Sequence, residues 1–264
     1  MKIGIVGLGV VGKANQFGFG NLGHEIFIHD KNLQTNLSDV LNADIAYLCL
    51  PTPSNHDGSC DTSIIEEVIA SLDQFKYKGV IAIRSTVIPG FTYSMIEKFK
   101  NLKICFVPEF LRERCAEEDF LKNHKLLAVG TNDIEISALI VKSHGNLPET
   151  SVVMTPTEAE FLKYFNNVYA ALKVTFANNI YEIATKMGCD YTKIKDAYLK
   201  TGKSSGHYLD VNNELRGYGG MCLPKDTKAL AHLIKASQLP LKLIESIDAD
   251  NSKYKTTLFP GMRG

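Results

Sequence analysis

The feature that most constrains the fold is a glycine turn set between a short apolar run and a stretch of helical length. Lys2-Ile3-Gly4-Ile5-Val6 is followed by Gly7-Leu8-Gly9-Val10-Val11-Gly12, then by helix-compatible residues to about Leu22, where Gly23 supplies a stop. Glu25–His29 then reads as a second strand ending at Asp30, and further apolar runs follow at Ile45–Leu50, Val80–Arg84, Lys103–Val107 and Leu126–Val129. The segments between them, such as Ile64–Phe75 and Thr92–Phe99, have helical length and periodicity. Strands this apolar, separated by helix-length crossovers, imply a parallel sheet covered on both faces. The expectation is an α/β chain whose residues 1–150 form a doubly wound domain of the Rossmann type.

The pattern changes near Thr150. Thr155-Pro156-Thr157-Glu158 has the capping-box arrangement, with a hydroxyl at the cap, proline at the first helical position and glutamate three residues after the cap. Behind it, Phe161, Phe165, Val168, Leu172, Phe176, Ile180, Ile183 and Met187 recur in steps of three or four until Gly188. A helix over 155–187 would be roughly 50 Å long, more than one small domain needs, and so serves as a domain spine or a homodimer interface. Further helices are expected at Thr192–Leu199, Pro224–Ser237 and Pro240–Ser252. The expected organisation is an all-helical central domain over 151–255 and a tail or truncated linker over 256–264, which agrees with two domains for 264 residues.

Lys+Arg and Asp+Glu are equal at 29 each, which removes the bulk positive field of a nucleic-acid or anionic-membrane binder. No apolar run reaches the roughly 18 residues needed to span a bilayer, and Met1 leads directly into a strand, so a cytoplasmic protein is expected. Six cysteines lie far apart without metal-ligand or disulfide spacing, so no metal is expected.

Two stretches carry chemistry. Glycines between a strand and a helix permit a tight turn, close approach of backbone to a pyrophosphate, and phosphate binding at the helix N-terminus. Asp30, ending the next strand, is placed to accept both adenosine ribose hydroxyls, which favours NAD over its 2′-phosphorylated form. The second stretch is Gly219-Gly220-Met221-Cys222-Leu223-Pro224-Lys225-Asp226. Pro224 suits a first helical turn, so the thiol lies at a helix N-terminus with Lys225 beside it, an arrangement that activates a nucleophilic cysteine. From spacing alone, a buried cysteine near a helix cap is an equally open reading.

Together these motifs resemble the UDP-glucose/GDP-mannose dehydrogenase family. The resemblance runs from Met1 to about Asn251 and also rests on Leu50-Pro51-Thr52-Pro53 with Asp57-Gly58, Ser85-Thr86-Val87 with Pro89-Gly90, and Pro108-Glu109-Phe110-Leu111-Arg112-Glu113. Lys163 and Asn167 match a further pair on the long helix. The resemblance implies oxidation of a sugar C6 alcohol twice, at the expense of two NAD⁺, with Cys222 attacking the intermediate aldehyde. It implies catalytic roles for Cys222, Lys163, Asn167, Asp226, Thr86 and Glu113. It places the cofactor on Gly7, Gly9, Val10, Val11, Gly12, Asp30, Pro51, Thr52, Thr86 and Glu113. The nucleotide-sugar substrate is placed on Glu109, Phe110, Leu111, Lys163, Asn167 and Gly219. Without the resemblance, Lys163 and Asn167 read as a solvated pair.

Three local departures bear on the substrate: Arg114 after Glu113, Asn123-His124-Lys125 where a Pro-x-Arg element is common, and the proline-free loop Asn212–Gly217. Family members continue into a third, nucleotide-clamping domain, whereas 42 residues follow Cys222 here and Phe259–Gly264 reads as the start of a linker. The expectation is therefore a dehydrogenase lacking that domain, or else an NAD-binding homologue with little turnover that serves as a dimeric module.

Overall fold

The computed structural model describes residues 1–258; Phe259–Gly264, read above as a linker, lies outside the described residues. The chain divides into two compact units, one holding Met1–Asn55 and Cys60–Lys163, the other His56–Ser59 and the residues from Tyr164 on.

The first unit is built on β1 (Lys2–Val6), α1 (Val10–Asn21), β2 (Glu25–His29), β3 (Ile45–Leu48), α2 (Ser63–Gln74), β4 (Val80–Ile83), α3 (Phe91–Lys98), β5 (Lys103–Phe106), α4 (Ala116–Lys122), β6 (Leu126–Gly130), α5 (Ile134–His144) and β7 (Thr150–Met154). Its sheet has seven strands in the order β2-β1-β3-β4-β5-β6-β7. Pairing is parallel except between β5 and β6, which meet antiparallel through the single pair Phe106 and Gly130. The contact is tight there: a Cβ on Gly130 would lie 2.8 Å from that of Ala159 and 3.1 Å from the Phe106 carbonyl oxygen.

Side-chain alternation sorts each strand between two cores. On one face Leu48, Ile81, Ile83 and Phe106 pack with Ile65, Ile69 and Leu72 of α2 and with Phe91 and Met95 of α3. On the other, Ile5, Tyr47, Ala82 and Cys105 pack with Phe19 of α1, Phe120 of α4 and Ile140 of α5. Each fully buried aliphatic side chain contributes about 1.5–3 kcal/mol, so the unit is covered on both faces in the way the apolar strands imply.

The long helix α6 (Pro156–Lys186) begins at the expected cap. The Thr155 amide donates to Glu158 Oε2 at 2.8 Å and the Glu158 amide to Thr155 Oγ1 at 3.3 Å. The unit boundary falls within it, after Lys163. The second unit adds α7 (Tyr191–Leu199), β8 (Gly217–Tyr218), α8 (Leu223–Ala236), α9 (Leu243–Asn251) and β9 (Thr256–Thr257), with β8 and β9 paired in parallel. Its core is small: Ala177, Ala184, Tyr191, Leu209 and Val211. The apolar stripe read from the sequence is largely at the surface, with Phe161, Phe165, Phe176, Ile183 and Met187 exposed, while Ala170, Ala171, Ala177 and Ala184 are buried.

Candidate active site

In the first unit, the glycine turn is shaped by contacts that exclude other residues. Gly7 has φ +91° and an added Cβ would lie 2.5 Å from the Cys49 carbonyl oxygen; at Gly12 it would lie 1.9 Å from that of Gly7. Gly9, by contrast, faces open space, where a ligand can approach backbone. Val10 and Val11 open α1, so their amides belong to its first turn and have no partner within the helix. Asp30 accepts hydrogen bonds from the amides of Leu8 at 2.6 Å and Asn32 at 2.8 Å, which hold its carboxyl below the ordinary value and keep it an acceptor. These features fit a dinucleotide: a backbone cradle at a helix N-terminus, with a carboxylate at the end of the adjacent strand.

The loops after β3, β4 and β5 carry the next group. Thr52 is buried and donates from Oγ1 to the Thr86 carbonyl at 2.8 Å, and the Leu50 amide donates to Ser85 Oγ at 2.8 Å; Pro51 between them is exposed. Glu109 is buried, and its two oxygens accept from the Lys163 ammonium at 2.8 Å and the Leu111 amide at 2.8 Å. Burial alone would raise the Glu109 carboxyl, but Lys163 and the amide hold it below the ordinary value. Lys163, 3% exposed, also donates to the Glu109 carbonyl at 2.6 Å and lies 5.9 Å from the Phe110 ring centre. The solvated reading of Lys163 is thereby excluded. Arg112 reaches Asp119 through Nη2 at 2.6 Å and Nε at 3.0 Å, and its amide donates to the same carboxylate at 2.9 Å. Glu113, half-buried, opens a short 3-10 turn just beyond.

In the second unit, Cys222 is exposed and is the N-cap residue of α8, where the residue spacing predicts it. One turn on, Asp226 is fully buried, accepting from the Asn167 side-chain amide at 2.6 Å and from the Lys225 ammonium at 2.6 Å. Asn167 is itself buried. Lys225, expected beside the thiol, is thus paired with the carboxylate. Gly219 has a structural reason to be glycine, since a Cβ would lie 2.3 Å from Thr256 Cγ2. Of the other cysteines, Cys60 and Cys105 are buried, burial pushes the Cys49 thiol up to about 12, and Cys115 is raised by burial and Asp119; Cys189 is exposed like Cys222 but follows the end of α6 instead of capping a helix.

Sequence reading missed three buried charged groups that bear on these loops, Arg84, Asp119 and Glu160. Glu160 was detectable: it lies three residues before Lys163 and seven before Asn167, which is the spacing of one helix face.

Residues 32–147 match the NAD-binding domain model of the UDP-glucose/GDP-mannose dehydrogenase family, and residues 157–253 match the family's central domain. A UDP-glucose 6-dehydrogenase of Campylobacter jejuni is 31% identical, the match covering 97% of this chain and 73% of the relative. The UDP-glucose 6-dehydrogenase AglM of Haloferax volcanii is 28% identical over 98% of this chain and 71% of its own length; a Streptococcus pneumoniae relative is 33% identical, with 59% of its length spanned. The solved structure of a UDP-glucose dehydrogenase from Pyrobaculum islandicum superposes with a TM-score of 0.88 at 25% identity, covering 96% of this chain and 68% of that one. With an NAD-binding unit and the matching central segment both present, the chain belongs to the UDP-glucose/GDP-mannose dehydrogenase family.

Proposed function

We propose that the chain oxidises the C6 hydroxyl of a nucleotide sugar, with UDP-glucose as substrate, to the carboxylate. The observation that carries this reading is an exposed Cys222 thiol at the N-terminus of α8, one turn from a buried Asp226 held by Asn167 and Lys225. Two NAD⁺, bound one after the other, would each accept one hydride. Gly7, Gly9, Val10, Val11, Gly12, Asp30, Pro51, Thr52, Thr86 and Glu113 would hold the cofactor.

Glu109, Phe110, Leu111, Lys163, Asn167 and Gly219 would hold the sugar nucleotide. Loss of the hydroxyl proton and a C6 hydride gives the aldehyde. The Cys222 thiolate then adds to C6, forming a C–S bond and a thiohemiacetal alkoxide beside which the Lys163 cation and the Asn167 amide are suited to act. Departure of a second hydride leaves a thioester. Water adds to that carbonyl, the C–S bond breaks, and the carboxylate and the Cys222 thiol are released, with Thr86, Asp226 and Glu113 handling water and protons. The aldehyde alone has no easily lost second hydride, so a nucleophile is required at this point.

In this reading residues 1–150 form the NAD-binding domain and 151–255 the helical domain, while Thr256–Thr257, expected in a tail, pair with Gly217–Tyr218 instead. The protein is a homodimer through the helix at 155–187, which the exposed Phe165, Phe176 and Met187 support. It works in the cytoplasm, a reading supported by six cysteines without a disulfide among them. Among the described residues, no helix is long and apolar enough to cross a membrane.

A second reading, a dimeric NAD-binding module with little turnover, is favoured by the same exposed face; the chain spans 48–73% of the length of the relatives it matches. NADH formation with UDP-glucose decides between them. Two NADH per sugar, lost in Cys222→Ser, supports the dehydrogenase; NAD⁺ binding without turnover on any nucleotide sugar leaves the module.

A further inference from the structure

Glu160 lies outside every motif described above, yet it is fully buried and both its carboxylate oxygens are used. Oε2 accepts from the Gly90 amide at 2.6 Å and Oε1 from the Thr92 amide at 2.8 Å. These are donors at the N-terminus of α3, whose N-cap residue, Gly90, has φ +96° and no side chain with which to cap them. Helix N-termini usually take their cap from a residue within the same turn. Here it arrives from 68 to 70 residues away. Glu160 is not needed to start its own helix, because Thr155 and Glu158 do that.

A buried carboxylate costs several kcal/mol unless it is well paired, and a serine or aspartate in the loop would cap α3 at lower cost. Burial does raise the Glu160 carboxyl, against the pull of the amides. What the distant cap adds is a tether. The loop from Ser85 to Gly90 is fixed at its first end by Ser85 Oγ, which accepts from the Leu50 amide at 2.8 Å, and by the Thr86 carbonyl, which accepts from Thr52 at 2.8 Å. Glu160 fixes the other end. Three residues further along α6, Lys163 holds the loop after β5 through Glu109. The first turns of α6 therefore fasten two loops of one sheet edge, the first through a carboxylate and the second through an ammonium.

We propose that Glu160 is a positioning residue for the oxidation: it sets the place of the Ser85–Gly90 loop, and of Thr86 within it, relative to Glu109 and Lys163. The inference rests on the dehydrogenase reading. Glu160→Gln keeps the size but offers one acceptor and one donor, so one of the two amides faces an N–H group. The expected result is a kcat reduced about tenfold or more with KM for the sugar nucleotide changed by no more than about threefold. In hydrogen exchange, the Gly90 and Thr92 amides should lose protection while those of Ile81–Ile83 keep it. Glu158→Gln, which alters only the exposed cap, should leave kcat within about twofold. Glu160→Asp retains the charge on a shorter stem and should give a smaller loss in both readouts, so the test survives poor folding of the Gln variant. Loss of protection with kcat unchanged would reduce Glu160 to a structural cap and overturn the proposal. An active wild type whose Glu160→Gln variant is unaltered in both readouts also overturns it alone, whereas a wild type that oxidises no nucleotide sugar overturns the dehydrogenase reading with it.

Discussion

The two units treat apolar surface in opposite ways, although each pairs buried charges, as Asp226 in the second shows. In the first, acidic groups are tied down by partners, Asp30 by the Leu8 amide, Glu109 by Lys163 and Glu160 by the start of α3 from distant segments, and Asp119 by Arg112 from seven residues away. Two apolar cores lie against its sheet. The second unit rests on a core of alanines, Tyr191, Leu209 and Val211, keeps its nucleophile candidate exposed, and leaves Phe165 69% and Met187 73% exposed. A platform for a cofactor gains from rigidity, because positions set by paired charges and packed strands do not have to be found again at each turnover. A thiol that must form and break a bond with substrate has to be reachable, and an uncovered apolar helix face calls for a partner.

If this division is right, the largest effect belongs to the thiol. Cys222→Ser should lower the rate of carboxylate formation by about 10⁴-fold, since an alcohol at this position is a far weaker nucleophile than a thiolate, while NAD⁺ affinity in calorimetry stays unchanged. A loss of NAD⁺ binding in this variant would break the assignment of cofactor and nucleophile to separate units.

Next in size is the buried ion pair of the platform. Removing one partner leaves the other charge buried and uncompensated, so Lys163→Ala should cost about 3–5 kcal/mol in urea unfolding. Combining Lys163→Met with Glu109→Gln should cost less than the sum of the single changes, because the double variant buries no charge. Strict additivity would show that the pair does not interact in solution.

How much of this was readable beforehand follows from whether the rule at work is local. The glycine turn, Asp30 at its strand end, the Thr155–Glu158 cap and Cys222 as the N-cap of α8 all obey rules that act over a few residues. β7, Thr150-Ser151-Val152-Val153-Met154, is exposed along nearly its whole length and so carries no alternation to detect. α5 went unread although Asp133 caps it, accepting from the Glu135 and Ile136 amides. Glu160 shares a helix face with Lys163 and Asn167 in the sequence, but its role as the cap of α3, like the contact of Arg84 with the Tyr47 ring, comes from partners on other elements. Periodicity found α6 to within a residue at each end, yet it could not tell which stripe the chain itself would cover: small alanines face inward and the large aromatic groups face out.

That outward face supplies the third prediction. A charge placed within a hydrophobic interface is desolvated without a partner, so Phe176→Asp should weaken self-association about 100-fold, roughly 2.7 kcal/mol, in sedimentation at micromolar concentration. Its effect on the thermal stability of the first unit should be negligible. A wild type that sediments as a monomer at those concentrations would remove the reason for the exposed stripe and, with it, half of the contrast between the units.

The smallest effect isolates one charged contact of the platform by its pH dependence. Burial raises the Asp119 carboxyl, but the side chain and amide of Arg112 and the Asn123 amide overcome that and bring it down to about 2. A carboxyl whose folded value lies below the unfolded one, about 4, stabilises the fold fully above that unfolded value and loses the contribution as pH falls toward the folded one. The shift corresponds to about 2 kcal/mol at neutral pH. Asp119→Asn should therefore be less stable than wild type by that order at pH 7 and pH 5, and the gap should close between pH 4 and pH 2. A gap that stays constant across this range would mean that shape and hydrogen bonding, not the carboxylate charge, hold the Glu109–Glu113 loop, and the platform would then owe its rigidity to packing alone.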